Sequence, residues 1–336
     1  MQPGDKSRAD FQEILNKPIR DLGLKLDGSP LDRFVQQLYR ELERKGLSKF
    51  RPVCYLTDEW GCPSGEPVIG IPFYLANPGL ASLEKEMNDL EDAHEIMMYL
   101  RHEAGHAFNY AYKLYRTPEW KHVFGSYRRH YRDQYRPVPF SRNFVRHLAG
   151  WYAQKHPDED FAETFAVWLT PRSGWRKRYR GWGAMAKLRY VDQITRQLAK
   201  ADPLRPRGRT DITVDEMEST VAEFYRQTAA QQAPVADLAL DTDLLDIFKV
   251  SKRRKTARPA RDFLQEHRKE VIDKIAYWSG VQRPLIKQLV EAIEKRIGEL
   301  GLLADRTRES EHLTEIAVYA TALATNYMTR GKFIQP

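Results

Sequence analysis

The sequence predicts an α+β protein that is mainly helical, with a small edge-stranded sheet and a C-terminal helical bundle. Three observations support this fold class. Apolar residues recur at helical spacing along most of the 336 residues, the period changes to strand-like runs between residues 51 and 76, and a stretch rich in proline and arginine at 203–210 precedes a last group of helical segments. We therefore expect three parts, namely an N-terminal helical segment (1–48), a central domain (49–205) and a C-terminal helical domain or cap (206–336).

The N-terminal segment is predicted to be helical between residues 8 and 46. Its apolar residues are three or four positions apart, and Gly46 follows the last of them as a helix-ending glycine. These apolar residues are Phe11, Ile14, Leu15, Leu31, Phe34, Val35, Leu38 and Leu42.

Two strand-like runs follow, at 51–57 and 68–76, and a turn region with several glycines and prolines separates them. Pro72 lies inside the second run. Because proline cannot donate a backbone hydrogen bond to a neighbouring strand, we predict that this run is an edge strand.

The motif His-Glu-Ala-Gly-His at residues 102–106 is the strongest indication of chemistry in the chain. It falls inside a predicted helix of about 20 residues, so His102 and His106 lie one turn apart on one face and can bind the same metal ion. Neutral imidazole is a good zinc ligand, and Glu103 is placed to act as a general base on a bound water. Two histidines on the surface of a helix are the alternative interpretation.

Gly105 lies in the middle of this predicted helix, where glycine costs about 1 kcal/mol relative to alanine. A glycine kept at that cost indicates that another backbone comes close to the helix at this point.

A second helical segment at 156–169 offers a third zinc ligand, and three protein ligands are usual for a catalytic zinc site. Glu159 and Glu163 lie one turn apart on one face of this helix. We predict that Glu159 binds the metal and that Glu163 accepts a hydrogen bond from a ligand histidine, which fixes its tautomer. His156 is interpreted as an N-terminal residue of the helix. The alternative is that the acidic residues only cap the helix and complement its dipole.

Residues 101–106 and 152–165 together resemble a bacterial family of zinc-binding metallopeptidases of the gluzincin type. In this type the glutamate ligand on a second helix is followed four residues later by another acid, and the second helix here is similar to that of the anthrax lethal factor protease domain. The resemblance implies a zincin-like metallopeptidase core with one zinc ion, in which Tyr152 stabilises the oxyanion. Packing of Tyr152 in the core is the alternative. Peptidases of this kind commonly bind extended substrate along an edge strand, here the run that contains Tyr74.

Positive charge is concentrated around these motifs. Residues 113–209 hold 22 lysines and arginines against 8 acidic residues, a local charge of +14 in a chain of net charge +8. Within this region we predict that Arg128, Arg129 and Arg132 bind substrate. An acidic peptide or protein tail is the favoured partner, because guanidinium groups bind carboxylates. Nucleic acid is one alternative, and a merely solvated arginine-rich surface is the other.

The remainder of the chain is predicted to be helical at 182–200, 211–227, 238–250, 260–298 and 308–328. The last of these segments form a bundle or cap that either restricts access to the cleft or mediates association. No run of about 18 apolar residues occurs, and the N-terminus lacks the apolar region of a secretory signal. We therefore expect a cytoplasmic protein with no membrane partner and with Cys54 and Cys62 reduced.

These features predict a zinc-dependent metallopeptidase that hydrolyses amide bonds and favours acidic peptides or protein tails. The rival is a non-catalytic protein that uses the basic 113–209 region to hold nucleic acid or an acidic partner.

Overall fold

The computed structural model describes residues 13–87, 90–132, 135–230, 238–248 and 256–330. These residues are mainly helical and include two small two-stranded sheets, as an α+β protein requires. No helix among them is both long enough and apolar enough to cross a membrane. The predicted cytoplasmic location stays a prediction.

The chain divides into two compact units. The first comprises residues up to 135, 141–147 and 152–232, and the second comprises 136–140, 148–151 and the residues from 233 onwards. The domain boundaries predicted at residues 48 and 205 stay predictions.

The described part of the first unit contains eight α-helices and two strands. Its helices are α1 (Asp32–Arg44), α2 (Pro78–Met87), α3 (Ala93–Ala111), α4 (Pro118–Phe124), α5 (Pro157–Leu169), α6 (Trp175–Arg178), α7 (Ala184–Leu198) and α8 (Val221–Ala230), and its strands are β1 (Val53–Thr57) and β2 (Val68–Pro72). Short 3-10 helices lie at Ile19–Leu22, Phe73–Ala76, Leu114–Arg116 and Val214–Glu216.

Strands β1 and β2 pair in parallel, in a register that runs from Val53 opposite Val68 to Thr57 opposite Pro72. The second predicted strand run is too long, because Pro72 ends β2 and the chain continues as the 3-10 helix Phe73–Ala76. Proline supplies no N–H to extend the pairing, and this residue precedes the turn with a φ of −53°. Cys54 on β1 and Cys62 in the following loop are both free thiols.

Helix α3 begins at a complete capping box. The side chain of Asp92 accepts hydrogen bonds from the backbone N–H groups of His94 and Glu95, and the Glu95 carboxylate accepts one from the Asp92 backbone N–H. This arrangement satisfies N–H groups that have no partner within the helix. The helix then runs for 19 residues, which confirms the length predicted around residues 102–106.

An ion pair connects α1 to α3. The guanidinium of Arg101 donates two hydrogen bonds of 2.8 Å to the carboxylate of Glu41, and both side chains are buried. Since Arg101 directly precedes His102, this bidentate pair fixes the part of α3 that carries the motif.

Helices α3 and α5 are in backbone contact at Gly105. A Cβ atom built on Gly105 would lie 2.7 Å from Cα of Ala162 and 2.9 Å from its carbonyl oxygen. A side chain of any size is excluded there, which confirms the close approach predicted from the sequence. The backbones of α3 and α5 are therefore in van der Waals contact at this point, which only glycine permits.

Replacing Gly105 by alanine is expected to destabilise the first unit, because α3 and α5 must separate to admit the methyl group. Overpacking of this kind costs about 1–3 kcal/mol. The matched control is Gly298→Ala, where the new Cβ atom meets the flexible side chain of Arg261 at 3.1 Å and alanine improves helix propensity. Thermal unfolding followed by circular dichroism compares the two variants, and an unchanged Tm for Gly105→Ala would contradict the close contact.

The second unit is a helical assembly with one short antiparallel sheet. Its described elements are α9 (Asp241–Ile247), β3 (Ala257–Pro259), α10 (Ala260–Ser279), α11 (Arg283–Glu299), β4 (Leu303–Asp305) and α12 (Glu309–Arg330). The predicted helix at 260–298 is thus two helices. Gly280 ends α10 in the left-handed conformation, with a φ of 74° that a side chain rarely adopts.

Candidate metal centre

Three buried side chains from two helices converge in the first unit. His102 and His106 lie one turn apart on α3, and Glu159 lies in the first turn of α5. The Nε2 atoms of the histidines are 3.1 Å apart, and Oε2 of Glu159 lies 3.0 Å from the first and 3.1 Å from the second. These three residues form a group able to hold a metal ion, as predicted, and we call them the ligand cluster.

The opposite nitrogen of each imidazole ring is held by a carboxylate. Nδ1 of His102 lies 2.9 Å from Oε1 of Glu163, and Nδ1 of His106 lies 3.0 Å from Oδ2 of Asp158. Because an ionised carboxylate only accepts hydrogen bonds, both Nδ1 atoms carry the proton in neutral rings. While both rings are neutral, each Nε2 atom is a bare lone pair and the ligand cluster brings three acceptors together. Such an arrangement is unfavourable by itself and is satisfied by a cation. In the metal-free protein a proton taken up by His102 relieves this, as its raised pKa shows.

The separations in the ligand cluster are slightly shorter than those in a zinc site, so the three atoms would move apart by a few tenths of an ångström around the ion. Ligands about 2.0–2.1 Å from a zinc ion at tetrahedral angles lie about 3.3–3.4 Å from one another. The three separations in the cluster are 3.0, 3.1 and 3.1 Å. Two imidazoles and a carboxylate form a donor set found in catalytic zinc sites, with a fourth position left for water.

Asp158 is a functional residue that the sequence does not single out, because it lies among several acidic residues at the start of α5. Its carboxylate holds His106 and accepts hydrogen bonds from Nδ2 of Asn109, at 2.7 Å, and from the hydroxyl of Tyr110. Asn109 and Tyr110 follow His106 by three and four residues, so they share its helix face. Two polar side chains buried on the same face as a ligand histidine indicate a buried polar partner.

Glu163 takes the position predicted for it. Its side chain is fully buried, and its second oxygen, Oε2, accepts a hydrogen bond of 3.2 Å from the backbone N–H of His147. Both oxygens are therefore engaged, so the carboxylate that orients His102 is itself fixed.

The electrostatics of the ligand cluster favour a positive charge at its centre. Burial lowers the pKa of His102, but hydrogen bonds to Glu159 and Glu163 outweigh burial and raise this pKa to about 9. Burial also opposes the charge on His106, and the nearby carboxylates still raise its pKa well above the usual value. For Glu159, burial raises the pKa, but the two histidines outweigh it and hold the pKa well below its usual range.

Zinc binding is expected to release protons and to strengthen as the pH rises. A pKa of about 9 means that His102 carries an extra proton at pH 7 in the metal-free protein, and this proton must leave before the imidazole becomes a ligand. Affinity should therefore increase with pH up to about 9 and fall as the pH is lowered. Isothermal titration in buffers of different ionisation enthalpy counts the released protons. A binding enthalpy that does not depend on the buffer would contradict the assignment.

Glu103 lies beside the ligand cluster and is 6% exposed. None of the described residues donates a hydrogen bond to its carboxylate, whereas the carboxylates of Glu159 and Glu163 each have hydrogen-bond partners at both oxygens. Burial raises the pKa of Glu103, although the two histidines lower it. A buried carboxylate with raised basicity and free oxygens is suited to accept a proton from water.

Tyr152 lies against the ligand cluster, with its ring edge to face with His102 at a centroid distance of 5.6 Å. Its hydroxyl is 3.4 Å from that of Tyr131, which in turn donates a 2.6 Å hydrogen bond to Oε1 of Glu159. In the sequence Tyr131 is distinguished only by its place beside Arg132 in the basic region. Its contact with the ligand cluster depends on the path of the connection between α3 and α5, which no residue spacing reveals.

Three of the four residues predicted to bind substrate are neighbours in sequence of Tyr131, which contacts the ligand cluster. Arg128, Arg129 and Arg132 are exposed, and the backbone carbonyl of Arg129 accepts a 2.8 Å hydrogen bond from Nε2 of His156, the residue that caps α5. The hydroxyl of Tyr74 instead donates to Glu91, at 3.0 Å. A substrate-binding role for all four residues stays a prediction.

Residues 75–179 match the model of a protein family described as "Putative zinc-binding metallo-peptidase". The matched segment contains the whole of α3 and α5, and the match confirms the resemblance to a family of zinc-binding metallopeptidases. The gluzincin type stays a prediction. No curated protein and no solved structure matches the chain significantly.

Proposed function

We propose that this chain is a zinc-dependent peptidase, because the segment that matches the zinc-binding metallopeptidase family also brings together three side chains able to hold a metal ion. One observation carries the proposal: the three acceptors of the ligand cluster face one another within 3.1 Å beside the buried carboxylate of Glu103, which accepts no hydrogen bond from any described residue. A purely structural metal site has no need of such a base.

His102, His106 and Glu159 would hold the ion, and zinc bound there would lower the pKa of a water molecule towards about 7 and polarise the substrate carbonyl. Glu103 accepts one proton from the attacking water as the water oxygen bonds to the carbonyl carbon. It then donates this proton to the amide nitrogen as the C–N bond breaks. A positioned base of this kind contributes a factor of about 100 to 10,000 to the rate.

The hydroxyl of Tyr152 is the proposed donor to the oxygen on which negative charge develops. Its ring contacts His102, so the phenol lies next to the ligand cluster. The loss of one such donor costs about 2.7–4 kcal/mol in other hydrolases. Burial raises the pKa of Tyr152, which keeps the phenol protonated and able to donate.

We further propose that the described part of residues 49–205 forms a zincin-like core and that extended substrate lies along the sheet edge that precedes α3. At Gly70 the backbone of β2 already exchanges two hydrogen bonds with Gly61 in antiparallel fashion. Since Gly70 also pairs with Tyr55 of β1, the second run is not an edge strand at this residue, contrary to the prediction. We therefore propose the loop that contains Gly61 as the edge that pairs with substrate. Such backbone pairing gives affinity without reading the substrate sequence.

Acidic peptides or protein tails are the proposed substrates. Exposed Arg128, Arg129 and Arg132 belong to the connection between α3 and α5, which reaches the ligand cluster through Tyr131. Guanidinium groups at the rim of a cleft concentrate anionic substrate and bind carboxylates through two hydrogen bonds. Peptide pairs that differ only by glutamate or glutamine test this preference, and equal kcat/KM for both members would reject it.

The hydrolytic activity is tested most simply with an unfolded protein substrate. Zinc-loaded protein is expected to cleave it, a chelator should abolish cleavage, and added zinc should restore it. Cleavage that persists after complete removal of the metal would contradict the proposal.

A second candidate is nucleic-acid binding, which the local charge of +14 in residues 113–209 supports. Oligonucleotide affinity that falls steeply with salt, in protein that holds no zinc, would favour this candidate. Stoichiometric zinc with weak oligonucleotide binding would favour the peptidase.

A further inference from the structure

We propose that Tyr131 is a positioning residue that fixes the metal-binding mode of Glu159 and holds Tyr152 ready as a donor. The part that concerns Tyr152 rests on the proposed peptidase function, whereas the part that concerns Glu159 requires only metal binding.

The two oxygens of Glu159 have separate partners. Oε2 faces the Nε2 atoms of both histidines, while Oε1 accepts a 2.6 Å hydrogen bond from the hydroxyl of Tyr131. An oxygen held at this short distance is not free to turn towards the ligand cluster. Tyr131 would therefore restrict Glu159 to holding an ion through the one oxygen that faces the histidines.

The hydrogen bonds around Tyr131 have a fixed direction. The ammonium of Lys155 lies 3.4 Å from the hydroxyl of Tyr152 and can only donate. At the other end the Glu159 carboxylate can only accept, so the proton of Tyr131 is used there. In the 3.4 Å contact between the two phenols, Tyr152 must then be the donor. The resulting series of hydrogen bonds runs from Lys155 through Tyr152 and Tyr131 to Glu159.

The two hydrogen bonds made by the Tyr131 hydroxyl differ in strength. The hydrogen bond from Tyr131 to Glu159 is short, whereas the bond from Tyr152 to Tyr131 is near the limit for an O–H donor. Tyr152 can therefore transfer its hydrogen bond to a substrate carbonyl oxygen at little cost, while Glu159 stays fixed. Lys155 keeps the two rings together, since its ammonium lies 4.4 Å from the ring centroid of Tyr131 and 5.1 Å from that of Tyr152.

A simple packing role does not account for Tyr131. The residue is 43% exposed, so removal of its hydroxyl leaves no core cavity, and the cost to the free energy of unfolding is that of one hydrogen bond to a charged group, about 1.5–3 kcal/mol. The variant Tyr131→Phe should still fold, so its effect on the metal can be measured directly.

The deciding experiment measures zinc dissociation from holo-protein with a chromogenic chelator. Tyr131→Phe is expected to lose zinc about 10- to 100-fold faster than wild type, the effect usual for a residue that orients a metal ligand, and the visible absorption of the Co²⁺-substituted protein should shift. Tyr112→Phe is the matched control, because its hydroxyl donates to the carbonyl of Ala201. Tyr152→Phe should lower kcat and leave zinc dissociation unchanged.

Wild-type zinc dissociation and an unshifted Co²⁺ spectrum in Tyr131→Phe would overturn the proposal, whatever the activity of the variant. The metal measurements use no substrate. If they agree with the expectation while wild-type protein cleaves no peptide, the positioning of Glu159 stands and the peptidase function fails.

Discussion

Glu103→Gln is expected to lower kcat by about 100- to 10,000-fold while zinc stays bound, because the amide has the shape of the carboxylate but cannot accept the proton of the attacking water. The variant should also fold at least as well as wild type. Burial raises the pKa of Glu103, so the charged form that dominates above the unfolded-state pKa destabilises the fold. A neutral glutamine removes this cost at neutral pH.

Three measurements on the same preparation separate these effects, namely zinc content, Tm and the rate of peptide cleavage. Glu95→Gln is the matched control. Glu95 lies earlier on the same helix, and glutamine can replace it in the capping box. Undiminished cleavage by Glu103→Gln would exclude the mechanism, and loss of zinc from it would show that Glu103 is a ligand instead.

Glu159→Ala is expected to lose zinc and with it all metal-dependent activity. The substitution removes one of three ligand atoms and the negative charge that balances the ion, and two imidazoles alone hold zinc poorly. It also releases the hydroxyl of Tyr131, which donates to Glu159. Metal analysis after dialysis should find about one zinc ion per chain in wild type and almost none in the variant.

Glu119→Ala controls for the change of net charge, since this glutamate lies exposed in the first turn of α4. It should retain zinc as wild type does. Full zinc occupancy in Glu159→Ala would mean that the third ligand is another residue, and the fixed position of Asp158 beside His106 makes it the first alternative.

The helices that carry the site were predictable because local rules determine them. The spacing of His102 and His106 requires a helix for the two rings to meet, and the acidic start of α5 with Pro157 is typical of a helix N-terminus. Gly105 even revealed a contact between helices, because a glycine inside a helix has a cost that only close packing explains. The contact with Ala162 confirms that inference.

The remaining features depend on contacts between segments that are distant in sequence. Asp158 orients His106 only because α3 and α5 pack in one register, and Tyr131 reaches Glu159 because of the path of a connection without regular spacing. The same limit applies to the strands. A short apolar run does not encode whether its partner is parallel, as β2 is to β1, and the three-residue strands β3 and β4 are too short to produce a period.

The most direct test of the account is mass spectrometry of a proteome-derived peptide library after incubation with zinc-loaded wild type and with zinc-loaded Glu103→Gln. We expect new peptide termini with wild type, few or none with the variant, and acidic residues enriched near the cleaved bonds. No new termini with fully zinc-loaded wild type, or the same termini with both proteins, would contradict the central claim that this site is a peptidase with Glu103 as its base.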